Sequence, residues 1–323
     1  MLRAMDSAVA GLRAHQSKLD VIGHNIANVN TYGYKSQNYS FTEAMYQTST
    51  SSTQGSQTSG GVNAAQYGYG SLTGSISMDM TASTPTYVGG FNATISGEGF
   101  FVTYASPGTV DVTKIKETDM DYTRVGQFKI DSNGYMVDSR GNFVYGYQCT
   151  DKNGDPEYPA NYDVANLKPL KVPDNFGTPA YNTGESKIVL TDIKINNLGE
   201  VTGTIKSIDG KTLDANGDKL PDVGKVITLG RVAVVTFQNP EGLTKKGDYY
   251  YGATNDDNTG AASVGSPGDP ATAALMAGYL EASNVDLAKE FSDMITTQRG
   301  FQANTKMITV SDEVLNELVN MKR

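Results

Sequence analysis

The two histidines are the first residues of this sequence that could bind a metal or act as a catalytic base. His15 and His24 lie nine residues apart, whereas a helical metal pair needs histidines four residues apart on one face. No Gly-x-Ser-x-Gly motif supplies a serine nucleophile. We therefore interpret both histidines as polar positions on a helix surface.

Two segments rich in Asp and Asn, 151–155 and 214–218, resemble the beginning of a calcium-binding loop. A complete EF-hand loop has glycine at its sixth position and glutamate at its twelfth. The sixth positions here are Pro156 and Lys219, so neither loop can make the required turn. We interpret both segments as turns.

The remaining chemical signals are equally weak. The glycines at 68, 70 and 74 do not have the spacing of a dinucleotide-binding motif. The single cysteine, Cys149, excludes an internal disulfide and a cysteine-based zinc site. We expect no catalytic residue, no metal site, no cofactor-binding site and no cofactor, so the protein is not expected to be an enzyme.

Composition narrows the possible partners. The chain has 323 residues, enough for about two domains. Its formal net charge is −9, which argues against nucleic-acid binding because that requires a basic surface. No run of about 18 apolar residues occurs, so no membrane insertion is expected. The first residues also lack the apolar core of a secretory signal.

The ends of the chain predict long amphipathic helices. Apolar residues from Leu2 to Ile26 recur in steps of three and four, which predicts a helix over about 3–28. A similar pattern predicts a second helix over about 286–320. Ser283 and Asp286 resemble a capping box at the start of the second helix.

The middle of the chain predicts β-structure. Alternating apolar residues and Asn-Gly-type turns over 128–147 indicate successive hairpins, and the apolar run 232–237 indicates one buried strand. The Ser/Thr/Gln/Gly segment 47–61 predicts a flexible or extended connector. Five prolines favour a loop-rich excursion over 149–187, and 252–270 is expected to be a linker.

These elements predict an α+β fold in which paired, coiled-coil-like terminal helices flank a central, mainly antiparallel β-domain. The helical part would combine 1–70, including the connector, with 272–323. The β-rich body would span 71–271, with 149–187 as a Pro-rich excursion or a very small outer subdomain. The helices could form only a local pair, or their apolar faces could also pack against other copies. A surface that repeats head to tail without closing gives a helical polymer.

Several motifs carry a family resemblance. The stretch from Gly11 to Lys35 and the stretch from Leu280 to Gln302 resemble the two terminal signatures of the bacterial flagellar rod, hook and hook-associated axial proteins. Internal segments 95–102, 122–141 and 237–251 are similar to that family's Gly-x-Gly-Phe-Phe turn, hairpin and later strand exit.

Within that family the likeness is strongest to the hook subunit, and it is carried by segments 15–31 and 60–76 and by the end of the chain from Gln298. The resemblance implies a short-subunit hook protein that polymerises into a curved tube and transmits torque from rod to filament. The alternative is a distal rod subunit of the basal body; a secreted β-rich adhesin is the third reading. The implied location is the extracellular hook or basal body, reached by type III export without a cleaved signal peptide.

The resemblance also implies partners and contact residues. The partners would be further copies of the chain, the distal rod, hook cap and hook-filament junction proteins, and the flagellar export apparatus. The residues expected to pack between helices and subunits are Leu12, Leu19, Ile22, Asn25, Ile26, Asn28, Asn30, Phe291, Met294, Gln298, Arg299, Phe301, Asn304, Ile308 and Leu315.

Overall fold

The computed structural model describes residues 2–55, 60–105, 120–152, 155–159, 162, 166–172, 188–208, 223–254, 257–269 and 272–321. The chain divides into two compact units. Unit 1 comprises Met1–Asn30, Lys35–Asp79 and Val285–Arg323. Unit 2 comprises Thr31–Tyr34 and Met80–Asn284.

Unit 1 contains both long helices. Helix α1 spans Leu2–Ala27 and helix α2 spans Leu287–Asn320, so they are about 39 and 51 Å long. The predicted arrangement of two terminal helices around a mainly antiparallel β-rich region is confirmed. Their coiled-coil character stays a prediction.

Helix α2 begins at a side-chain cap. The Asp286 carboxylate accepts hydrogen bonds from the backbone N–H groups of Ala288 and Lys289, at 2.9 and 3.3 Å. The predicted capping box, in which Ser283 would be the cap, is therefore wrong by three residues. Asp286 is the N-cap itself because its carboxylate reaches the free N–H groups of the first turn.

Unit 1 also contains a long β-hairpin built from four strands: β1 (Gln37–Glu43), β2 (Tyr46–Thr50), β3 (Ala65–Gly68) and β4 (Ser71–Met78). Strand β1 pairs with β4, and β2 pairs with β3, both antiparallel. The connector predicted over 47–61 therefore starts inside a paired strand. Its threonines and the neighbouring tyrosines favour a β-strand. The prediction of a connector relied on the polar composition alone and did not take this preference into account.

Unit 2 is β-rich. Its strands are β5 (Pro85–Tyr87), β6 (Ala93–Ile95), β7 (Phe100–Tyr104), β8 (Asp121–Thr123), β9 (Phe128–Ile130), β10 (Met136–Asp138), β11 (Phe143–Gln148), β12 (Thr150–Lys152), β13 (Asp155–Glu157), β14 (Lys168–Pro169), β15 (Ile188–Ile195), β16 (Glu200–Ile208), β17 (Val226–Val232), β18 (Val234–Phe237), β19 (Thr244–Gly247), β20 (Tyr250–Gly252), β21 (Ala262–Gly265), β22 (Leu275–Ala277) and β23 (Tyr279–Glu281). A short 3-10 helix spans Pro240–Gly242.

Thirteen of these strands form one sheet, whose main path is β15-β16-β17-β11-β7-β8-β20-β19. Strands β9, β10, β14, β18 and β21 branch from that path. The pairings of the described strands are antiparallel, which fits the hairpins expected from the Asn-Gly turns. The core of unit 2 lies on this sheet and includes Phe101, Phe128, Met136, Leu170 and Val234.

Three details of unit 2 differ from expectation. The apolar run 232–237 is divided between β17 and β18 at Ala233 rather than forming one strand. The linker expected over 252–270 contains β21, which pairs with β18 along its whole length. Within 149–187, β12 and β13 form a separate two-stranded sheet, whereas β14 joins the large sheet. Leu170 is fully buried, and Arg231 stacks on Tyr158 at 4.2 Å.

Candidate functional site

The two helices of unit 1 face each other in an antiparallel register. Gly11 of α1 lies against Asn304 of α2, His15 lies against Gly300, and Asn25 lies against Glu290. Each step forward along α1 is thus matched by an equal step back along α2. The pairing places the last residues of α2 beyond the start of α1, because α2 is the longer helix.

The most deeply buried positions on the face that α2 turns toward α1 are polar. Its buried residues are Glu290, Thr297 and Ser311, and Asn304 belongs to the same column with a spacing of seven residues. The Thr297 and Ser311 hydroxyls donate to the backbone carbonyls of Asp293 and Met307 in their own helix. They therefore need no partner on α1 and can be buried at little cost.

Asn25 joins three elements at one end of the helix pair. Its side-chain Nδ2 donates to the Glu290 carboxylate at 3.0 Å and to the Gln37 carbonyl at 2.9 Å. Its Oδ1 accepts from the Gln37 backbone N–H at 3.0 Å. Burial raises the pKa of Glu290, and Asn25 counteracts this by donating to the carboxylate. The arrangement fixes α1, α2 and the start of β1 together.

The predicted contact residues fall into three groups by exposure. Ile22 and Asn25 are buried. The half-buried residues are Leu12, Leu19, Ile26, Asn28, Met294, Phe301, Asn304, Ile308 and Leu315. The exposed residues are Asn30, Phe291, Gln298 and Arg299. The helix pair brings Asn25 and Asn304 into the α1–α2 contact, and packing of this set between subunits remains a proposal.

Sequence reasoning missed the residues that form the closest contacts between the helices. Gly11 and Gly300 allow the close approach, and Glu290 and Thr297 are buried. The signal was present as a seven-residue repeat of polar residues directly beside the apolar stripe of α2. A search for apolar periodicity does not detect this repeat because its residues are polar.

Several apolar residues of α2 remain exposed in the single subunit. Those more than a third exposed are Leu287, Phe291, Ile295, Met307, Val310, Leu318 and Val319. Among them, Leu287, Phe291 and Ile295 recur every four residues and form an exposed apolar stripe at the start of α2. Such a stripe marks an interaction surface. The helix pair thus buries its polar column, with Met294, Phe301, Ile308 and Leu315 half-buried beside it, and leaves this stripe exposed.

The hairpin of unit 1 packs on α1. Lys18 lies over the Phe41 ring at 5.7 Å, and Arg3 lies over the Tyr67 ring at 5.8 Å. Gly70 lies so close to Ser7 that a side chain at position 70 would meet its backbone. These contacts run along α1 and tie the hairpin to the helix.

His15 is wedged between α2 and this hairpin. Its ring contacts Gly300 on one side and lies 5.2 Å from the Phe41 ring on the other. Its Nδ1 atom is buried and has no hydrogen-bond partner among the described residues. Burial lowers the pKa of His15, and the ammonium of Lys18 lowers it further. Both effects favour the neutral form of the imidazole.

We expect acid to destabilise the helix pair through His15. Because its folded pKa lies below the ordinary value of 6.5, the unfolded chain binds the proton more tightly. The stabilisation is complete above pH 6.5 and is lost as the pH falls through the folded pKa. Circular dichroism melts of the full chain at pH 5 to 8 measure this, and His15→Gln should flatten the dependence.

The matched control for this prediction is His24→Gln, since His24 is the other histidine and is exposed. It should keep the wild-type pH dependence. Glu290 contributes to the pH dependence in the opposite direction. Because its carboxyl pKa is raised in the folded chain, acidification through Glu290 favours the folded state. Equal pH dependence in the wild type and His15→Gln would contradict the assignment to His15.

Unit 2 contains a buried ion pair at its centre. The Arg124 Nε donates to the Glu281 carboxylate at 2.6 Å, and the two side chains are 3% and 2% exposed. The same guanidinium donates to the carbonyls of Gly97 and Gly99. Both glycines have positive φ values, 145° and 135°, which turn those carbonyls toward Arg124. Glu281 also accepts from the Ser83 backbone N–H.

The described residues contain no group of His, Cys, Asp and Glu side chains that could hold a metal ion. Among them, none of the helices has the length and apolarity needed to cross a membrane.

Comparison with known proteins gives matches at both ends and in the middle. Residues 5–35 match the family model "Flagella basal body rod protein", and 276–321 match "Flagellar basal body rod FlgEFG protein C-terminal". Residues 94–203 match "Flagellar hook protein FlgE/F/G D1 domain". The matched ends contain most of α1 and the whole of α2.

Three relatives illustrate the similarity over the full chain. The chain is 35% identical to the flagellar basal-body rod protein FlgG of Bacillus subtilis, covering 100% of both. It is 26% identical to the hook protein FlgE of Borreliella burgdorferi, again covering 100% of both. It is 28% identical to the hook protein FlgE of Salmonella typhimurium, covering 99% of this chain and 100% of that protein.

Proposed function

Since this chain belongs to the family of flagellar rod and hook proteins, we propose that it polymerises with copies of itself as a subunit of the distal rod. Like its relatives, it is a structural component of the flagellum and not an enzyme. The proposal extends this shared role to a particular section of the flagellar axis.

The observation that carries polymerisation is the exposed apolar face of α2. Leu287 is 39% exposed, Phe291 is 46% exposed and Ile295 is 56% exposed, and the three recur every four residues. The partner helix within the subunit lies on the polar column beside this face, so it leaves these residues in water. Neighbouring copies can cover them. Because each is already about half buried, covering it contributes about half of the ~1.5–3 kcal/mol that full burial of such a side chain gives.

The position in the distal rod is supported by the similarity in sequence and length. The alignment with the Bacillus subtilis rod protein spans 324 residues at 35% identity. The alignments with the two hook proteins span 461 and 436 residues, although this chain has 323. Those hook proteins therefore carry segments that this chain lacks.

The hook is the second candidate. The sequence of segment 60–76 and of the end of the chain from Gln298 is most similar to hook subunits. Hook relatives also match the whole of this chain, at 26% and 28% identity. In this case the polymer would be a curved tube rather than a straight one.

The remaining details follow the family. The neighbours along the axis would be rod, hook cap and hook-filament junction proteins, and the export apparatus would deliver the chain without a cleaved signal. The finished polymer would then lie in the basal body or outside the cell. In the free chain the exposed apolar residues of α2 lie in water, so assembly with further copies would stabilise the helix pair.

Deleting the gene tests the position directly. We expect truncated rods without hooks when basal structures are examined by electron microscopy, because each section of the axis is built on the one before it. Complete rods that lack hooks would instead assign this chain to the hook. Normal flagella would contradict both positions.

A further inference from the structure

Two side chains of the helix pair pack directly against glycines of the opposite helix, and we call each of these two contacts a seat. The ring of His15 on α1 lies on Gly300 of α2, where an added Cβ would be 2.7 Å from the ring. Asn304 of α2 lies on Gly11 of α1, where an added Cβ would be 2.8 Å from its side-chain nitrogen. The contacts are reciprocal, and within each helix they lie one turn apart.

The His15 ring also packs against the hairpin. Its centroid lies 5.2 Å from that of Phe41 of β1, and this contact limits the movement of the ring away from Gly300. Lys18 in turn lies over Phe41. A methyl group at position 300 would therefore meet a ring that is already backed by another side chain.

The apolar pattern of α2 cannot choose this register by itself. Its residues recur in steps of three and four, so a slip of seven residues gives a very similar face. Such a slip would place Met307 or Asp293 opposite His15 in place of Gly300. Neither side chain fits the space that the glycine leaves.

We propose that the reciprocal seats of His15 on Gly300 and Asn304 on Gly11 select the register of α1 against α2. This register decides which apolar residues of α2 are presented to the next copy of the chain. The inference rests on the proposed function for its biological role. The seats themselves are a property of the single subunit.

The proposal can be tested by whether a Gly→Ala substitution stabilises or destabilises the helix pair. In a helix without close neighbours alanine is preferred to glycine, so alanine should stabilise the helix unless the glycine is needed for space. Gly23 of α1 has nothing within 4 Å of an added Cβ and is the matched control. Gly23→Ala should assemble at least as well as the wild type.

We expect Gly300→Ala to give about tenfold fewer axial structures per cell, as overpacking of a close contact does. Gly11→Ala should act in the same direction. The variants are expressed in the deletion strain and counted by electron microscopy, with immunoblots to show equal export. Helix melting of each purified full chain by circular dichroism gives a second readout that does not depend on the polymer.

Pair-specific rescue separates register selection from general damage. His15→Ala should restore Gly300→Ala, and Asn304→Ala should restore Gly11→Ala, because each removes the side chain that meets the new methyl group. The crossed combination of Gly300→Ala with Asn304→Ala should not be restored. Rescue by the wrong partner, or by neither, would overturn the proposal.

The outcomes distinguish this inference from the proposed function. If Gly300→Ala assembles as well as Gly23→Ala, the seats do not select the register, while the role in the axis stands. If the wild-type chain itself builds no axial structure, the proposed function fails. The melting temperatures of the single and double variants would still decide whether the seats exist.

Discussion

Replacing Phe291 with aspartate is expected to abolish polymerisation and to leave the β-rich unit 2 folded. Phe291 is nearly half exposed on the apolar face of α2, so the free subunit loses little when it is replaced. In a polymer the same position would bury a carboxylate in an apolar contact, which is strongly unfavourable. The loss recurs at every copy, so even a modest cost per contact prevents growth.

The measurement is the number of axial structures in the deletion strain complemented with the variant. A melting curve of the purified full chain shows whether unit 2 is intact. The matched control is Ser292→Asp, which places the same charge at the next exposed position, about 100° around the helix. Normal assembly of Phe291→Asp would refute the role of the apolar face.

Replacing Arg124 with leucine is expected to destabilise unit 2 by about 3–5 kcal/mol. The change leaves the Glu281 carboxylate buried without its cation and removes the donor from the Gly97 and Gly99 carbonyls. For a unit of this size the melting temperature should fall by roughly 10 °C. Differential scanning calorimetry of the full chain measures the shift.

An exposed ion pair in the same unit provides the comparison. Arg140 and Asp248 are 54% and 69% exposed and lie 3.5 Å apart, so Arg140→Leu should cost no more than about 1 kcal/mol. Adding Glu281→Leu to Arg124→Leu should recover part of the loss, because the unpaired charge is removed. Equal melting of the two arginine variants would show that the buried pair contributes no more than the exposed one.

Much of the fold could be predicted because its signals are local. The two helices follow from apolar periodicity, and their predicted bounds are close to Leu2–Ala27 and Leu287–Asn320. The hairpins around 128–147 follow from turn residues between short apolar strands. The errors occur where pairing across the chain outweighs composition, as in β2 and in β21, whose polar sequences resemble connectors.

The candidate site was predictable only in part. The sequence shows that α2 carries an apolar stripe that includes Phe291. It does not show that the helix partner lies on the neighbouring polar column of Glu290, Thr297 and Ser311. A stripe that repeats every three or four residues is compatible with several neighbours, so its exposure depends on the fold of the subunit.

The sequence by itself determined the two terminal helices, the β-rich middle and the likeness to flagellar axial proteins, since each depends on residues close together along the chain. Only the tertiary structure decided the register of the helices and the burial of Arg124 with Glu281. These features depend on distances between residues far apart in sequence, such as His15 and Gly300. The same residue type plays different roles here: Gly300 packs against His15, whereas Gly23 has nothing within 4 Å of an added Cβ. Only the residues that lie opposite each glycine in space decide between these roles.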